Sequence, residues 1–106
     1  MSHYARKQDS NARVVIDAFE AAGCSVLVIT STRPGCPDLA VGVSGRTHLV
    51  EVKPDVNVTA RRNLRPTQVA FADSWRGGPV HVVRSANEAF QLAGLLRMTA
   101  KPKEAP

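Results

Sequence analysis

Gly35-Cys36-Pro37-Asp38-Leu39-Ala40-Val41-Gly42-Val43-Ser44-Gly45-Arg46-Thr47-His48-Leu49-Val50-Glu51-Val52-Lys53 is the stretch that decides how this chain folds. Two β-rich runs separated by a Ser-Gly pair read as an antiparallel hairpin with a two-residue loop. If Val43 faces Arg46, each later pair follows: Gly42 with Thr47, Val41 with His48, Ala40 with Leu49, Leu39 with Val50, and Asp38 with Glu51. Directly opposed residues have Cβ atoms about 4.5–5.5 Å apart, and like charges placed there destabilise the sheet. Lys53 lies two positions past Glu51, so it projects from the same face. A cation joining the two carboxylates resolves the conflict, and the hairpin therefore predicts a metal site. A three-residue loop would break this register and part the acids.

On one face of the hairpin, Leu39, Val41 and Val43 join Val50 and Val52 as candidate core. The opposite face sets Asp38, Ala40 and Gly42 beside Glu51 and Lys53, and the small residues leave room near the acids. His48 falls on the face away from them. Upstream, Asp9 or Ser10 can cap a helix running to about Ala22, with Gly23 at its C′ position. Val14, Val15, Ala18, Phe19 and Ala22 form its apolar stripe, while Arg13, Asp17 and Glu20 point away. Asn11 lies at the end of that stripe, as a capping element or a site residue. Cys24 to Thr30 reads as a strand, followed by a loop through Gly35.

Downstream, Pro66 suits the first position of a second helix that ends near Arg76, before Gly77-Gly78. Val69, Ala70, Phe71 and Trp75 supply its apolar side, with Trp75 read as core rather than as a base-stacking surface. Gln68 falls in the first turn. Val80 to Arg84 forms a further strand, in which His81 is packed among apolar neighbours. The S-x-x-E pattern of Ser85 and Glu88 opens a third helix through about Leu96. The order α-β-β-β-α-β-α predicts an α/β domain with a four-stranded mixed sheet flanked by helices. It spans 9–97, between a flexible N-terminus (1–8) and a flexible C-terminal tail (98–106).

At 106 residues the chain is long enough for one modest core. It has no apolar run near membrane-spanning length and no apolar signal region, which predicts a cytoplasmic protein. Cys24 and Cys36 lack CxxC spacing and are expected reduced. The net charge of +5 favours a polyanion. Arg61, Arg62 and Arg65 cluster just past the carboxylates, and Arg33 and Arg46 flank the hairpin, so all five are candidate contacts to a polyanion's phosphates. No Ser/His/Asp or Cys/His arrangement supports a nucleophilic triad.

Gly35-x-Pro37-Asp38 followed by Glu51-Val52-Lys53 resembles the signature of the PD-(D/E)xK nuclease superfamily. The flanks narrow the likeness: Asp9-x-Asn11, Gly23-Cys24, Leu64-x-Pro66-Thr67-x-Gln68, Trp75-Arg76-Gly77-Gly78 and Val82-Val83-Arg84-Ser85. They are similar to small VRR-NUC-like and Holliday-junction-resolvase-like nucleases, often encoded by phages or prophages. The resemblance spans roughly residues 6 to 95. It implies a restriction-endonuclease-like core in which Asp38 and Glu51 ligate Mg²⁺ or Mn²⁺, with the backbone carbonyl of Val52 completing the set. Lys53 would orient or polarise the attacking water, and Gln68 would stand near the site. Relatives often add a first-helix acid; Asp9, Asn11 and Glu20 are the matches, so one metal per site is the simpler expectation. The implied activity is a DNA endonuclease, selective for junction, flap or nicked DNA and acting in phage or prophage DNA processing within the host cytoplasm. A homodimer would suit a two-strand junction. The alternative is a non-catalytic DNA-binding or assembly module keeping the nuclease fold, against which the intact Asp38, Glu51 and Lys53 stand.

Overall fold

The computed structural model describes residues 10–53 and 64–99. Its elements are α1 (Ser10–Ala21), β1 (Ser25–Val28), β2 (Leu39–Val43), β3 (Arg46–Val52), α2 (Pro66–Ser74), β4 (Val80–Val83) and α3 (Ala86–Thr99). The strands lie in the order β1-β2-β3-β4. β1, β2 and β3 are antiparallel neighbours, and β4 runs parallel to β3, so the sheet is mixed as expected. The expected flexible ends, 1–8 and 100–106, lie outside the described residues. Met98 and Thr99, expected in the tail, belong to α3.

α1 ends as its sequence predicts. The Gly23 amide donates to the Glu20 carbonyl (3.0 Å) and the Cys24 amide to the Phe19 carbonyl (3.0 Å), with Gly23 at φ +92°. This is a Schellman motif, and the buried Cys24 supplies its apolar contact to Phe19. Arg97 on α3 adds a bond from its guanidinium to the Ala22 carbonyl at 2.7 Å. The buried stripe is turned from the expected one: Ile16 is 8% exposed and Val14 44%. At about 100° per residue, Ala18, Val15, Phe19 and Ile16 form one continuous arc, and Val14 falls outside it.

That arc packs on α3 and on one sheet face. The core contains Val15 and Phe19, then Leu39, Val41, Val43, Val50 and Val83, then Ala89, Ala93 and Leu96. The alanines at i and i+4 of α3 leave short side chains beneath it, which lets α3 lie close against α1. α3 opens with the predicted cap, the Glu88 amide donating to Ser85 Oγ at 3.1 Å. Glu88 reaches back one residue further than a capping box requires, to the Arg84 amide (2.7 Å).

α2 lies on the opposite face, because the Gln68 it carries reaches Glu51 and Lys53, which alternate with Val50 and Val52. Its inward residues are Gln68 and Phe71; Val69 and Trp75, expected to be apolar packing, are 40% and 43% exposed. The helix stops at Ser74, two residues before the expected end, because Trp75 is already extended (φ −74°, ψ 125°). β1 is shorter than the run Cys24 to Thr30, since Ile29 bonds at the bend of Asp38 rather than within the regular ladder.

Candidate active site

The hairpin has the register that its loop dictates. Val43 pairs with Arg46 and Leu39 with Val50, and Ser44 and Gly45 both take positive φ (54° and 78°). Two positive values mark the type I′ turn that matches strand twist and imposes a two-residue loop. The regular ladder stops at Leu39, and Asp38 forks the sheet. Its carbonyl accepts the Ile29 amide of the β1 side (2.8 Å), and its own amide donates to the Val50 carbonyl (3.1 Å). Its side-chain Oδ2 accepts the Val52 amide at 2.8 Å. The N–H and C=O of one strand residue point to the same side, so the Val52 carbonyl is also directed toward Asp38.

Glu51, Lys53 and Gln68 are buried, at 5%, 9% and 7% exposure. Charged groups at this depth need partners, and each has them. Gln68 Nε2 donates to Glu51 Oε2 at 2.7 Å, and Lys53 Nζ donates to Gln68 Oε1 at 3.0 Å. Lys53 Nζ also lies 3.7 Å from Glu51 Oε2. Burial pushes the Glu51 carboxyl up to about 7, helped by the charge of Asp38 and partly opposed by Lys53. A side-chain hydrogen bond with Asp38 raises it further, and the one from Gln68 lowers it. Two carboxylates stand together, and one is reluctant to ionise unless a cation comes.

Gln68 serves the helix as well as the site. Its Oε1 accepts the Arg65 amide (2.9 Å), satisfying an N–H at the start of α2. The loop before β2 holds α2 in place. Gly35, at φ +79°, sits so close to the helix that an added Cβ would lie 2.0 Å from the Thr67 carbonyl oxygen. Only glycine fits there.

The remaining candidates separate clearly. Asn11 does not cap the helix: its Nδ2 donates to the carbonyls of Lys53 (2.7 Å) and Arg84 (3.1 Å). It ties α1 to the ends of β3 and β4, beneath Lys53. Glu20 is exposed and nine residues further along α1, about 14 Å by helical rise, so the fold keeps it from the site. Asp9, Arg61 and Arg62 lie outside the described residues. Arg65 and Arg33 are exposed at α2, whereas Arg46 sits at the hairpin turn, about 17 Å along β3 from Glu51. His48 and His81 pack edge to face (centroids 5.8 Å apart) on the sheet face opposite the acids. Both Cys24 and Cys36 are free thiols. What sequence spacing did not reveal is that Arg33 lies over the Phe71 ring, its guanidinium carbon 5.5 Å from the centroid.

Among the described residues, no three His, Cys, Asp or Glu side chains gather as a metal cage. The donor set is two carboxylates and a carbonyl. That set fits a small, hard divalent cation such as Mg²⁺, which keeps several waters and takes one or two protein carboxylates.

No family model matches the sequence, and no curated protein matches it. A solved structure described as "VRR_NUC domain" superposes with a TM-score of 0.59 at 30% sequence identity, covering 89% of this chain and all (100%) of that one. The chain belongs to the VRR-NUC family. Its α-β-β-β-α-β-α order and mixed sheet are those of a VRR-NUC domain with the PD-(D/E)xK-like fold. Asp38, Glu51 and Lys53 of this VRR-NUC domain stand where the family signature was read. No helix among the described residues is long and apolar enough to cross a membrane.

Proposed function

We propose that this VRR-NUC domain is a Mg²⁺- or Mn²⁺-dependent endonuclease that hydrolyses DNA phosphodiester bonds. The observation that carries the reading is the buried Glu51–Gln68–Lys53 network beside the Asp38 carboxylate. A buried ammonium and carboxylate beside a second, exposed carboxylate are costly to hold and match what phosphodiester hydrolysis needs. Asp38, Glu51 and the Val52 carbonyl would hold the cation. Bound there, it would supply Lewis-acid polarisation of the phosphoryl group and make a bound water more acidic. Lys53 Nζ, fixed by Gln68, orients the attacking water and offsets negative charge as it develops on the phosphate. Because burial makes the Glu51 carboxyl harder to ionise, a cation held there would bind more tightly as pH rises through about 7.

Exposed Arg33 and Arg65 at α2 support contact with the DNA backbone. A domain this small offers little surface for reading base edges, which favours selection by shape: junctions, flaps or nicks. A homodimer would set two sites on opposite strands, and Leu27, 67% exposed on β1, offers apolar surface for such a contact. We place the activity in phage or prophage DNA processing in the host cytoplasm, the setting of the small nucleases whose motifs it shares.

The test is cleavage of end-labelled linear, flap and four-way-junction DNA with Mg²⁺, Mn²⁺ or EDTA. Metal-dependent cutting of the branched substrates is expected. Salt-dependent binding with no cutting by any metal would replace the proposal with a binding module.

A further inference from the structure

We propose that the exposed Trp75 indole, backed by Phe71 beside the cavity of Arg33, is a stacking site for one unpaired nucleobase next to the scissile phosphate. This rests on the nuclease reading and names the feature of the substrate that the site selects. Phe71 and Trp75 stack almost parallel, with centroids 5.4 Å apart and planes at 15°. Phe71 is buried, but Trp75 is 43% exposed, against the expectation that it belongs to the core. Trp75 is also braced along its edge: a Cβ on Gly77 would lie 2.7 Å from its indole nitrogen. A rigid, half-open indole backed by a second ring costs a ligand little ordering entropy.

Beside the rings is a cavity of about 300 Å³ lined by Arg33, Pro34, Thr67, Ala70, Phe71 and Ser74. That is the small end of the range for ligand sites. Its walls bring a cation and two hydroxyls, which suits the sugar and phosphate attached to the base. Because Arg33 already covers the Phe71 ring, the base stacks on Trp75. Thr67 immediately precedes Gln68, the residue bonded to both Glu51 and Lys53. The cleft and the candidate metal site therefore share one turn of α2. A nucleotide bound in both would have its base turned out of a duplex stack, so flaps, nicks and junction centres are admitted and continuous duplex is not.

Trp75 is the sole tryptophan in the chain, so its fluorescence reports on the site directly. The experiment titrates the full chain in EDTA with a ten-nucleotide thymidine oligomer and with an abasic oligomer of equal length and charge. Quenching by the thymidine oligomer, and at least about tenfold weaker binding of the abasic one, is expected. By fluorescence anisotropy, Trp75→Ala should lose that discrimination and Trp75→Phe should keep it. Equal affinity and equal quenching with both oligomers would overturn the proposal. Base-dependent quenching without metal-dependent cleavage would leave the stacking site standing and remove the nuclease reading. Cleavage without base-dependent quenching would do the reverse.

Discussion

The Asp38 carboxylate takes the Val52 amide at 2.8 Å, doing with a side chain what a ladder carbonyl would otherwise do. One bond sets three features of the site. It fixes the orientation of Asp38, it directs the Val52 carbonyl to the same edge, and it leaves Glu51 between them facing α2. The bend after Pro37 makes this possible, since the Asp38 carbonyl is already bonded to Ile29.

Gln68 is the hinge of the buried network, bonded at once to Glu51, Lys53 and the Arg65 amide. Gln68→Ala should lower folding stability by about 2 kcal/mol, since buried polar groups lose their partners. It should also cut single-turnover cleavage at least about tenfold, because Lys53 loses its fixed position. Urea denaturation and rapid-quench kinetics measure the two effects. An unchanged unfolding midpoint would show that the network is not built as described.

Glu51 keeps its proton up to about 7 in the folded chain, against an ordinary value of 4.5. Between those values the folded state binds more protons than the unfolded one, so stability falls as pH rises through the window. The stabilisation is full below about 4.5 and is lost on passing about 7. In EDTA, wild-type stability should therefore drop between pH 5 and pH 8 relative to Glu51→Gln, by a difference on the order of 3 kcal/mol. Mg²⁺ should stabilise wild type most at pH 8. A wild-type profile that rises relative to Glu51→Gln across this window would contradict the assignment.

Gly35 has no room for a side chain against the Thr67 carbonyl, and its φ of +79° suits glycine. Gly35→Ala should cost about 1–3 kcal/mol. It should also push α2 outward, so that activity falls further than stability alone explains. Thermal melts beside cleavage rates at a temperature where the variant remains folded separate the two losses. A variant that matches wild type in both would remove the contact.

Asn11 donates to two carbonyls, and only an amide or a cationic side chain can do so. Asn11→Asp should lose about 1–3 kcal/mol of stability, because a carboxylate faces two acceptors. Its Mg²⁺ affinity by calorimetry should match wild type if the residue is a tie and not a ligand. A tighter second metal event in Asn11→Asp would place it at the site instead.

The hairpin is legible in the sequence because register is a local property: a two-residue loop settles each pair out to Leu39 and Val50. The same logic carries Asp38 to Glu51, and the side chain of Asp38 then meets Glu51 as the register requires. Helix ends are legible where single residues decide them, as at Gly23 and Ser85. The rest depends on partners far along the chain. Asn11 looks like a cap or a ligand until Lys53 and Arg84 turn their carbonyls to it. Val14 and Ile16 exchange places because α3, which no local pattern positions, sets the angle of the buried arc. In α2 the inward side is a glutamine and a phenylalanine, so an apolar count assigns Trp75 to a core it does not enter.

The proposed function requires Asp38, Glu51 and Lys53 to act as one metal-dependent hydrolytic site. Single-turnover cleavage of flap DNA, run in Mg²⁺ and in EDTA for wild type, Glu51→Gln and Lys53→Ala, tests it most directly. The prediction is cutting by wild type in Mg²⁺, none in EDTA, and a loss of at least about a hundredfold in both folded variants. Cleavage that persists in EDTA, or that survives either substitution, would contradict it.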